Sequence, residues 1–531
     1  MSISTPAEAA EPSVINSFPS ELLARIFHAG TELEVDDPRA RPCLITYCSI
    51  SSRWRTVCQL SPELWTNIRV PFHQTAHQDV VAWTATWLER SKSCLFDLTI
   101  DFPEPPSDSA LSAAAQLLRD TLLTIIPHVA RLRRLHFNAH THYSLARPIL
   151  NPLRVEAPQL IDLQLQFYLG DDFINMGPGY IIPYAFTSAP CLQRQSVRGV
   201  PLQFPLQGLT SLEIHGAYPE ESIFRDLSLQ SPGLGELVLT KLNPMLDPAD
   251  NANSSIVFPA LRALTVSFAR KVYAPRTCIL AFISPPNLTH LEIRGVNVPD
   301  PDTSLPNPAI LTKLHTLCLE EVLVQHPINS SQSPTLPTFY LTLPSVKHLK
   351  LISTAPQPLF PAEPERKPLL RSRSGELRSR KSAGLLPHPS QPRAAEIDFR
   401  VLSRDKTQPV KLPFSPEAAA SSSKPYPHWP NLTTITLDAI RARDLLWLCT
   451  LVATRSEIDT VYLSRSAKRH LASSLSIKRG DEKSKDVFSC WEFAERKPLV
   501  RVPQLEKGDI DPVQWLEERV KVFDFCRKER F

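Results

Sequence analysis

Three histidines lie close together in the segment HFNAHTH, at positions 136, 140 and 142. Imidazole nitrogens at such short spacing are candidate zinc ligands, but a zinc site also needs fixed side chains and supporting groups. Only His136 falls on a predicted strand, whereas His140 and His142 fall in the loop after it, so we interpret all three as surface histidines. The ten cysteines are scattered without a CxxC pair, and no GxSxG or HExxH motif occurs. We therefore predict no metal site, no catalytic residue and no cofactor.

The composition also argues against a nucleotide enzyme. Proline outnumbers glycine by 52 to 14 in the 531 residues, and loops that wrap phosphates depend on glycine. The net charge of +4, from 58 basic and 54 acidic residues, gives no general case for nucleic acid or membrane binding. The first residues lack an apolar signal segment, and no run of about 18 apolar residues suggests a membrane span. We expect a non-enzymatic protein with reduced cysteines in the cytoplasm, the nucleus or both.

A repeated LxxLxL pattern predicts the fold. Eleven copies run from LFDLTI at 95–100 to a weaker IDTVYL at 458–463, and five of them begin at 209, 234, 261, 288 and 314. Those steps of 25 to 27 residues match leucine-rich repeats, in which each strand buries its aliphatic residues against neighbouring repeats. A proline two residues before the first leucine recurs and leads the chain extended into the strand. Gln195 occupies a leucine slot in a degenerate copy.

The predicted fold class is therefore α/β: a small helical module, then a solenoid with parallel strands on its concave face and short helices on its convex face. The helices are expected between strands, for example at 222–229 and 277–284. The predicted ranges are a disordered tail (1–13), the helical module (14–72), the solenoid (85–352), a disordered Pro/Ser/Arg-rich insert (353–428), a solenoid continuation (429–475) and a C-terminal cap (476–531) with a helix from about 511 to 523.

Polar side chains alternate with the buried aliphatic residues along the predicted strands, because successive strand residues point to opposite faces. They would line the concave sheet, which in solenoids often binds a partner. Their mixed charge does not identify the ligand, and for any single residue a solvated surface remains the simpler interpretation. The candidate target-binding residues are Arg134, His136, Asn138, Asp162, Gln164, Gln166, Glu213, His215, His290, Glu292, Arg294, His348 and Lys350.

The N-terminal module combines small size with large aromatic side chains. A first helix is expected to begin near Ser17 or Ser20 and end at Gly30, and a second to run from about Leu44 to Cys58. Three short helices in fewer than 60 residues bury little surface by themselves. We therefore expect this module to complete its core against a partner, with aromatic and leucine side chains as anchors.

The strings FPSELLARIF, ISSRWRTV and SPELWTNI resemble an F-box, and the chain as a whole resembles fungal (basidiomycete-type) F-box proteins with leucine-rich repeats. The resemblance covers about 50 residues, and the segment from Thr31 to Pro42 is longer than in compact members of the family. It implies that the module binds the Skp-type adaptor of a cullin-RING ubiquitin ligase and that the solenoid recruits a protein substrate. The implied adaptor-binding residues are Phe18, Pro19, Leu22, Leu23, Ile26, Phe27, Ile50, Trp54, Val57, Leu64 and Trp65.

Two alternatives stay open in the sequence. The module can instead be a helical cap on a leucine-rich scaffold that is unconnected to ubiquitin. The insert carries a basic cluster between Arg366 and Lys381, which suits either a nuclear address or a plain solvated linker.

Overall fold

The structure is a computed structural model, and it describes most of the predicted repeat strands and the N-terminal helices. The described residues are 14–32, 42–72, 77–103, 108–139, 150–167, 185–199, 205–216, 221–242, 256–268, 283–295, 311–322, 343–354, 429–438, 442–464 and 512–525. All of them belong to one compact unit, formed by Met1–Pro361 and His428–Phe531. The predicted tail, nearly all of the insert and residues 476–511 of the predicted cap lie outside the described residues.

The N-terminal module contains three α-helices, α1 (Ser20–Glu32), α2 (Cys43–Ile50) and α3 (Ser52–Leu60). The prediction of one helix from Leu44 to Cys58 was wrong, because the chain breaks at Ser51, whose backbone is extended (φ −153°, ψ 162°). The Ser51 side chain accepts a hydrogen bond from the Trp54 amide at 3.1 Å and so starts a new helix as its N-cap.

Beyond these helices the chain forms a large parallel sheet, which confirms a mixed α/β fold with a solenoid-like sheet. Within the described residues it contains fourteen strands, and each pairs in parallel with its neighbours. In sheet order they are β1 (Asn67–Val70), β2 (Phe96–Phe102), β3 (Leu132–Ala139), β5 (Asp162–Phe167), β7 (Arg194–Arg198), β8 (Ser211–His215), β9 (Glu236–Leu242), β11 (Ala263–Phe268), β13 (His290–Arg294), β14 (Thr316–Glu320), β15 (His348–Ile352), β16 (Thr434–Asp438), β17 (Thr460–Ser464) and β18 (Lys521–Phe525).

The repeat spacing sets the register of this sheet. Each predicted LxxLxL copy supplies one strand, and the fourth position of one copy pairs with the fourth position of the next. Leu237, Leu264, Leu291 and Leu317 form one such column across four strands, and all four are fully buried. Burying each leucine contributes roughly 2 kcal/mol, which is available only when neighbouring strands are stacked.

The segments between strands are helices in part only. Between β1 and β17 the described α-helices are α4 (His77–Arg90), α5 (Asp108–Ile125), α6 (Glu221–Gln230) and α7 (Ala442–Thr454). Elsewhere short strands pair instead, β4 (Val155–Glu156) with β6 (Phe186–Ser188) and β10 (Ile256–Val257) with β12 (Ile283–Ser284). The prediction of a helix at 277–284 was thus wrong at its described end, because Pro285 and Pro286 hold the preceding residues extended.

The sheet extends one strand beyond the predicted repeats at each end. Strand β1 lies inside the range assigned to the helical module. At the C-terminus, helix α8 (Pro512–Glu517) ends early and the chain turns into β18, so the predicted helix reaching Phe523 was wrong. The stretch Val520 to Phe525 is rich in valine and phenylalanine, which favour strands over helices, and its residues Lys521 to Phe525 pair with β17.

Gln195 is the polar residue in the buried leucine column, as predicted for the degenerate repeat. It pairs in register with Leu163 on one side and Leu212 on the other, and it is only 2% exposed. Neither its amide oxygen nor its amide nitrogen has a hydrogen-bond partner in the described part of the chain. Burying an amide without partners costs about 1–3 kcal/mol.

We predict that Gln195→Leu raises the free energy of unfolding by about 1–3 kcal/mol, because leucine fills the same slot without an amide to desolvate. Urea denaturation followed by circular dichroism measures the change. The control is Gln164→Leu, on the opposite face of neighbouring strand β5, which should give no gain. If both variants change the free energy of unfolding by the same amount, the Gln195 amide forms hydrogen bonds in solution and the prediction is wrong.

Candidate adaptor-binding face and target-binding face

The structure divides the predicted adaptor-binding residues into a buried set and an exposed set. Leu22, Ile26 and Ile50 have 43%, 40% and 54% of their surface exposed, and Pro19 is also exposed. Phe18 is half-buried against the core. The buried residues are Leu23, Phe27, Trp54, Val57, Leu64 and Trp65.

The buried aromatic rings of the helical module cover one another. The ring of Phe27 on α1 stacks on Tyr47 of α2, with centroids 4.8 Å apart, and lies 4.8 Å from the ring of Trp54 on α3. Tyr47 and Trp54 meet edge to face at 6.2 Å. Aromatic pairs in these geometries stabilise by about 0.5–1.5 kcal/mol beyond their buried area, so the three helices are fixed around a shared centre.

Trp65 joins the module to the rest of the chain. Its indole nitrogen donates a hydrogen bond to the Cys58 carbonyl at 2.8 Å, and its ring meets Trp87 of α4 edge to face at 4.9 Å. The guanidinium of Arg90 lies 4.3 Å from the centre of the Trp65 ring. The expectation that these aromatics need a partner to cover them was therefore wrong for Phe27, Trp54 and Trp65, because they are buried inside the chain itself.

What remains for a partner is an apolar strip of exposed side chains, which we call the N-terminal strip: Pro19, Leu22, Ile26 and Ile50. Leu22 and Ile26 are four residues apart and so lie one above the other on the same face of α1. The Arg53 guanidinium donates a hydrogen bond to the Phe18 carbonyl, which ties the start of α3 to the residues that precede α1. Ile50 lies at the end of α2, directly before Ser51, which is the N-cap of α3.

The large sheet presents a polar face, which we call the outer face: the side chains that alternate with the buried aliphatic residues. All thirteen candidate target-binding residues lie on it. The register arranges the outer face in rows that cross the strands. The sequence search missed further members because they sit in degenerate or unpredicted repeats, namely Arg194, Ser196, Arg198, Tyr462 and Phe523.

Opposite charges alternate along the first row of the outer face. Asp97, Arg134, Asp162 and Arg194 are register partners on four consecutive strands of the sheet. Arg194 contacts the Asp162 carboxylate at 3.0 Å, and Arg134 lies 3.8 Å from Asp97. Because these charges neutralise one another, this part of the face has no net preference for a charged ligand.

A second charge cluster lies further along the sheet. Arg294 contacts the carboxylates of Glu292 at 2.9 Å and Glu320 at 3.2 Å. The Cys318 thiol donates a hydrogen bond to Glu292 at 3.6 Å, and burial together with that carboxylate raises the thiol pKa. A thiol that stays protonated is a poor nucleophile, so Cys318 is not a candidate catalytic residue.

Two outer-face histidines are held in the neutral form. Burial lowers the pKa of His136, against the opposing effect of the Asp162 and Asp97 carboxylates. Burial, together with the nearby Lys350 and His290, lowers the pKa of His348 to about 4. At neutral pH both rings are uncharged, so they present polar aromatic surface rather than positive charge.

The low pKa of His348 makes the stability depend on pH. The unfolded imidazole has a pKa of 6.5 and the folded one about 4, so between those values the unfolded state binds the extra proton and stability falls as pH falls. Because the ring is only partly buried, we expect a loss of about 1 kcal/mol from pH 7 to pH 5. His348→Gln, which can keep the contact to Thr436, should lack this component in urea melts at both pH values. If the free energy of unfolding of the wild type falls between pH 7 and pH 5 by no more than that of the variant, the prediction is contradicted.

Aromatic rings gather at the C-terminal end of the outer face, in what we call the aromatic patch: His348, Tyr462 and Phe523. Tyr462 and Phe523 are register partners on β17 and β18, and their rings stack with centroids 5.4 Å apart. The His348 ring lies 6.2 Å from Tyr462, and its Nε2 is 2.8 Å from the Thr436 hydroxyl. Phe523 is 46% exposed, which is unusual for so large an apolar side chain.

Within the described residues, no group of three or more histidine, cysteine or acidic side chains is arranged to hold a metal ion. Of the three clustered histidines only His136 is described, and His140 and His142 lie outside the described residues. None of the described helices combines the length and apolar character needed to cross a membrane.

Comparison with known proteins adds no assignment. No protein-family model matches the chain, and no curated protein is significantly similar to it.

Proposed function

We propose that this protein is the substrate-recognition subunit of an SCF-type cullin-RING ubiquitin ligase. Its N-terminal strip binds the Skp-type adaptor, and through it a cullin, while its outer face binds the target protein. The chain itself is not catalytic: ubiquitin transfer belongs to partner subunits. The chain contributes proximity, which raises the effective concentration of the target at the enzyme.

The observation that carries this proposal is the exposure of the N-terminal strip. Leu22, Ile26 and Ile50 fall on F-box positions, and they keep 40% or more of their surface in solvent, while the motif residues Leu23, Phe27, Trp54, Val57, Leu64 and Trp65 are buried. Several apolar side chains held together on a rigid helical module suit a helical partner that lays its own apolar face across them. Burial of the tryptophans does not weaken the proposal, because they hold the strip in place.

The alternative is a leucine-rich scaffold with no link to ubiquitin, whose N-terminal helices cap the first repeats. The packing of Trp65 against Trp87 and the pairing of β1 with β2 favour it, because they join the module to the sheet. A cap explains the buried residues of the module. It does not explain why Leu22 and Ile26 face solvent.

The deciding experiment is titration calorimetry of the full chain with a purified Skp-type adaptor. We expect a saturable one-to-one complex with an apparent Kd below about 1 μM, as is typical of a specific interface. The full chain is required because Trp65 and β1 tie the module to the sheet. No binding at concentrations far above that value would favour the scaffold.

A further inference from the structure

The aromatic patch differs chemically from the rest of the outer face. Across β15 to β18 the first two rows contain three threonines and two lysines beside the rings, and no carboxylate. These residues are His348, Thr434, Thr460 and Lys521 in the first row, and Lys350, Thr436, Tyr462 and Phe523 in the second. Elsewhere on the face, arginines pair with Asp97, Asp162, Glu292 and Glu320.

The two lysines of this region keep their charge available. Neither Lys350 nor Lys521 forms an ion pair with a carboxylate of the described residues, whereas Arg294 is paired with both Glu292 and Glu320. Lys350 pairs in register with Thr436, next to Tyr462, and Lys521 is two residues before Phe523 on the same strand face. His348 adds no positive charge at neutral pH, because its pKa is about 4.

The geometry points to a specific target class: the aromatic patch binds a protein segment that carries an apolar or aromatic side chain next to an anionic group. The incoming side chain packs on the exposed face of Phe523, and Tyr462 fixes that ring from the other side. The anionic group, a carboxylate or a phosphate, is attracted by Lys350 and Lys521. From β15 to β18 the patch spans about 14 Å, three inter-strand spacings, which fits a short extended segment.

A peptide fits this surface better than single-stranded nucleic acid. Strands of nucleic acid bind through continuous positive grooves that follow many phosphates, with aromatic rings stacked on the bases. Here only two lysines flank the rings, and Asp438 lies in the third row beside them. The inference rests on the proposed function only in calling the bound segment a ubiquitin ligase target.

Fluorescence polarisation of the full chain with four labelled probes tests the inference. The first three are short peptides with a central tryptophan flanked by glutamate, by phosphoserine or by lysine, and the fourth is single-stranded oligo-uridine RNA. We expect the glutamate or phosphoserine peptide to bind at least about tenfold more tightly than the lysine peptide. The stronger of the two anionic probes identifies the anion.

Two variants and one control locate the binding. Phe523→Ser should weaken the anionic peptide about tenfold, and Lys350→Glu should shift the preference toward the lysine peptide. The control is Leu229→Ser on α6, which removes an exposed apolar side chain elsewhere and should leave the affinity for the peptides unchanged. The inference is overturned by no peptide binding, by equal affinity for the anionic and lysine peptides, by tighter RNA binding, or by unchanged affinity in Phe523→Ser. Adaptor titration of the same samples reports separately on the proposed function.

Discussion

Replacing Leu22 with aspartate should weaken binding of the Skp-type adaptor by about 100-fold or more. The side chain is 43% exposed, so the change leaves the core intact, but in the complex it places a carboxylate inside an apolar interface. An unpaired charge buried at the centre of an interface costs more than the roughly 3 kcal/mol that a 100-fold loss represents. Ile26→Asp, one turn further along α1, should have a similar effect. Calorimetric titration of the full-length variants measures both.

The matched control is Leu123→Asp on α5, where an exposed leucine outside the N-terminal strip receives the same charge. It should bind the adaptor like the wild type. Thermal melts of all three variants should coincide with the wild-type melt, which separates lost contact from lost folding. If Leu22→Asp binds as well as Leu123→Asp, the N-terminal strip is not the docking surface.

The repeats were predictable because their signal is redundant. The pattern occurs in eleven copies, and each strand buries the leucines of the strand before it. Only one register between the strands buries the leucines of all the copies. The same redundancy identifies Gln195 as an exception from the sequence alone. Strands β1 and β18 were missed because each is short and neither contains the LxxLxL pattern, so they become evident only from their pairing with β2 and β17.

The candidate sites were less predictable than the fold. A sequence motif identifies positions that require a particular residue type. It does not distinguish side chains that form a core from side chains that contact a partner. Trp54 and Leu22 matched the same motif, and only the packing of α1 on α3 shows that one is enclosed and the other exposed. The aromatic patch was missed for a related reason, because β18 supplies Phe523 and its stacking on Tyr462 exists only once those strands pair.

Trp65→Ala should destabilise the N-terminal end of the sheet by about 3–5 kcal/mol, the usual cost of deleting a fully buried tryptophan side chain. The variant loses the contact with Trp87 and the stacking of Arg90, and the Cys58 carbonyl loses the shorter of its two hydrogen bonds and keeps the one from the Ser61 amide. Because each strand of a repeat array contacts only its neighbours, the damage should be local. Amide hydrogen exchange should accelerate in β1 and β2 and stay unchanged in β14 and β15.

Trp65→Phe is the graded control, since it keeps a ring at this position and loses the indole N–H and part of the ring volume, at a cost of about 1–3 kcal/mol. If amide exchange in Trp65→Ala accelerates equally in all strands of the sheet, or in none, the effect of Trp65 is not local and the prediction is wrong. The results for Trp65→Ala and Leu22→Asp together also distinguish an adaptor-binding module from a simple helical cap. A docking module loses adaptor binding when Leu22 is charged although exchange is unchanged, whereas a simple cap responds only to Trp65. Trp65 holds the strip in place, and Leu22 is the side chain that a partner would contact.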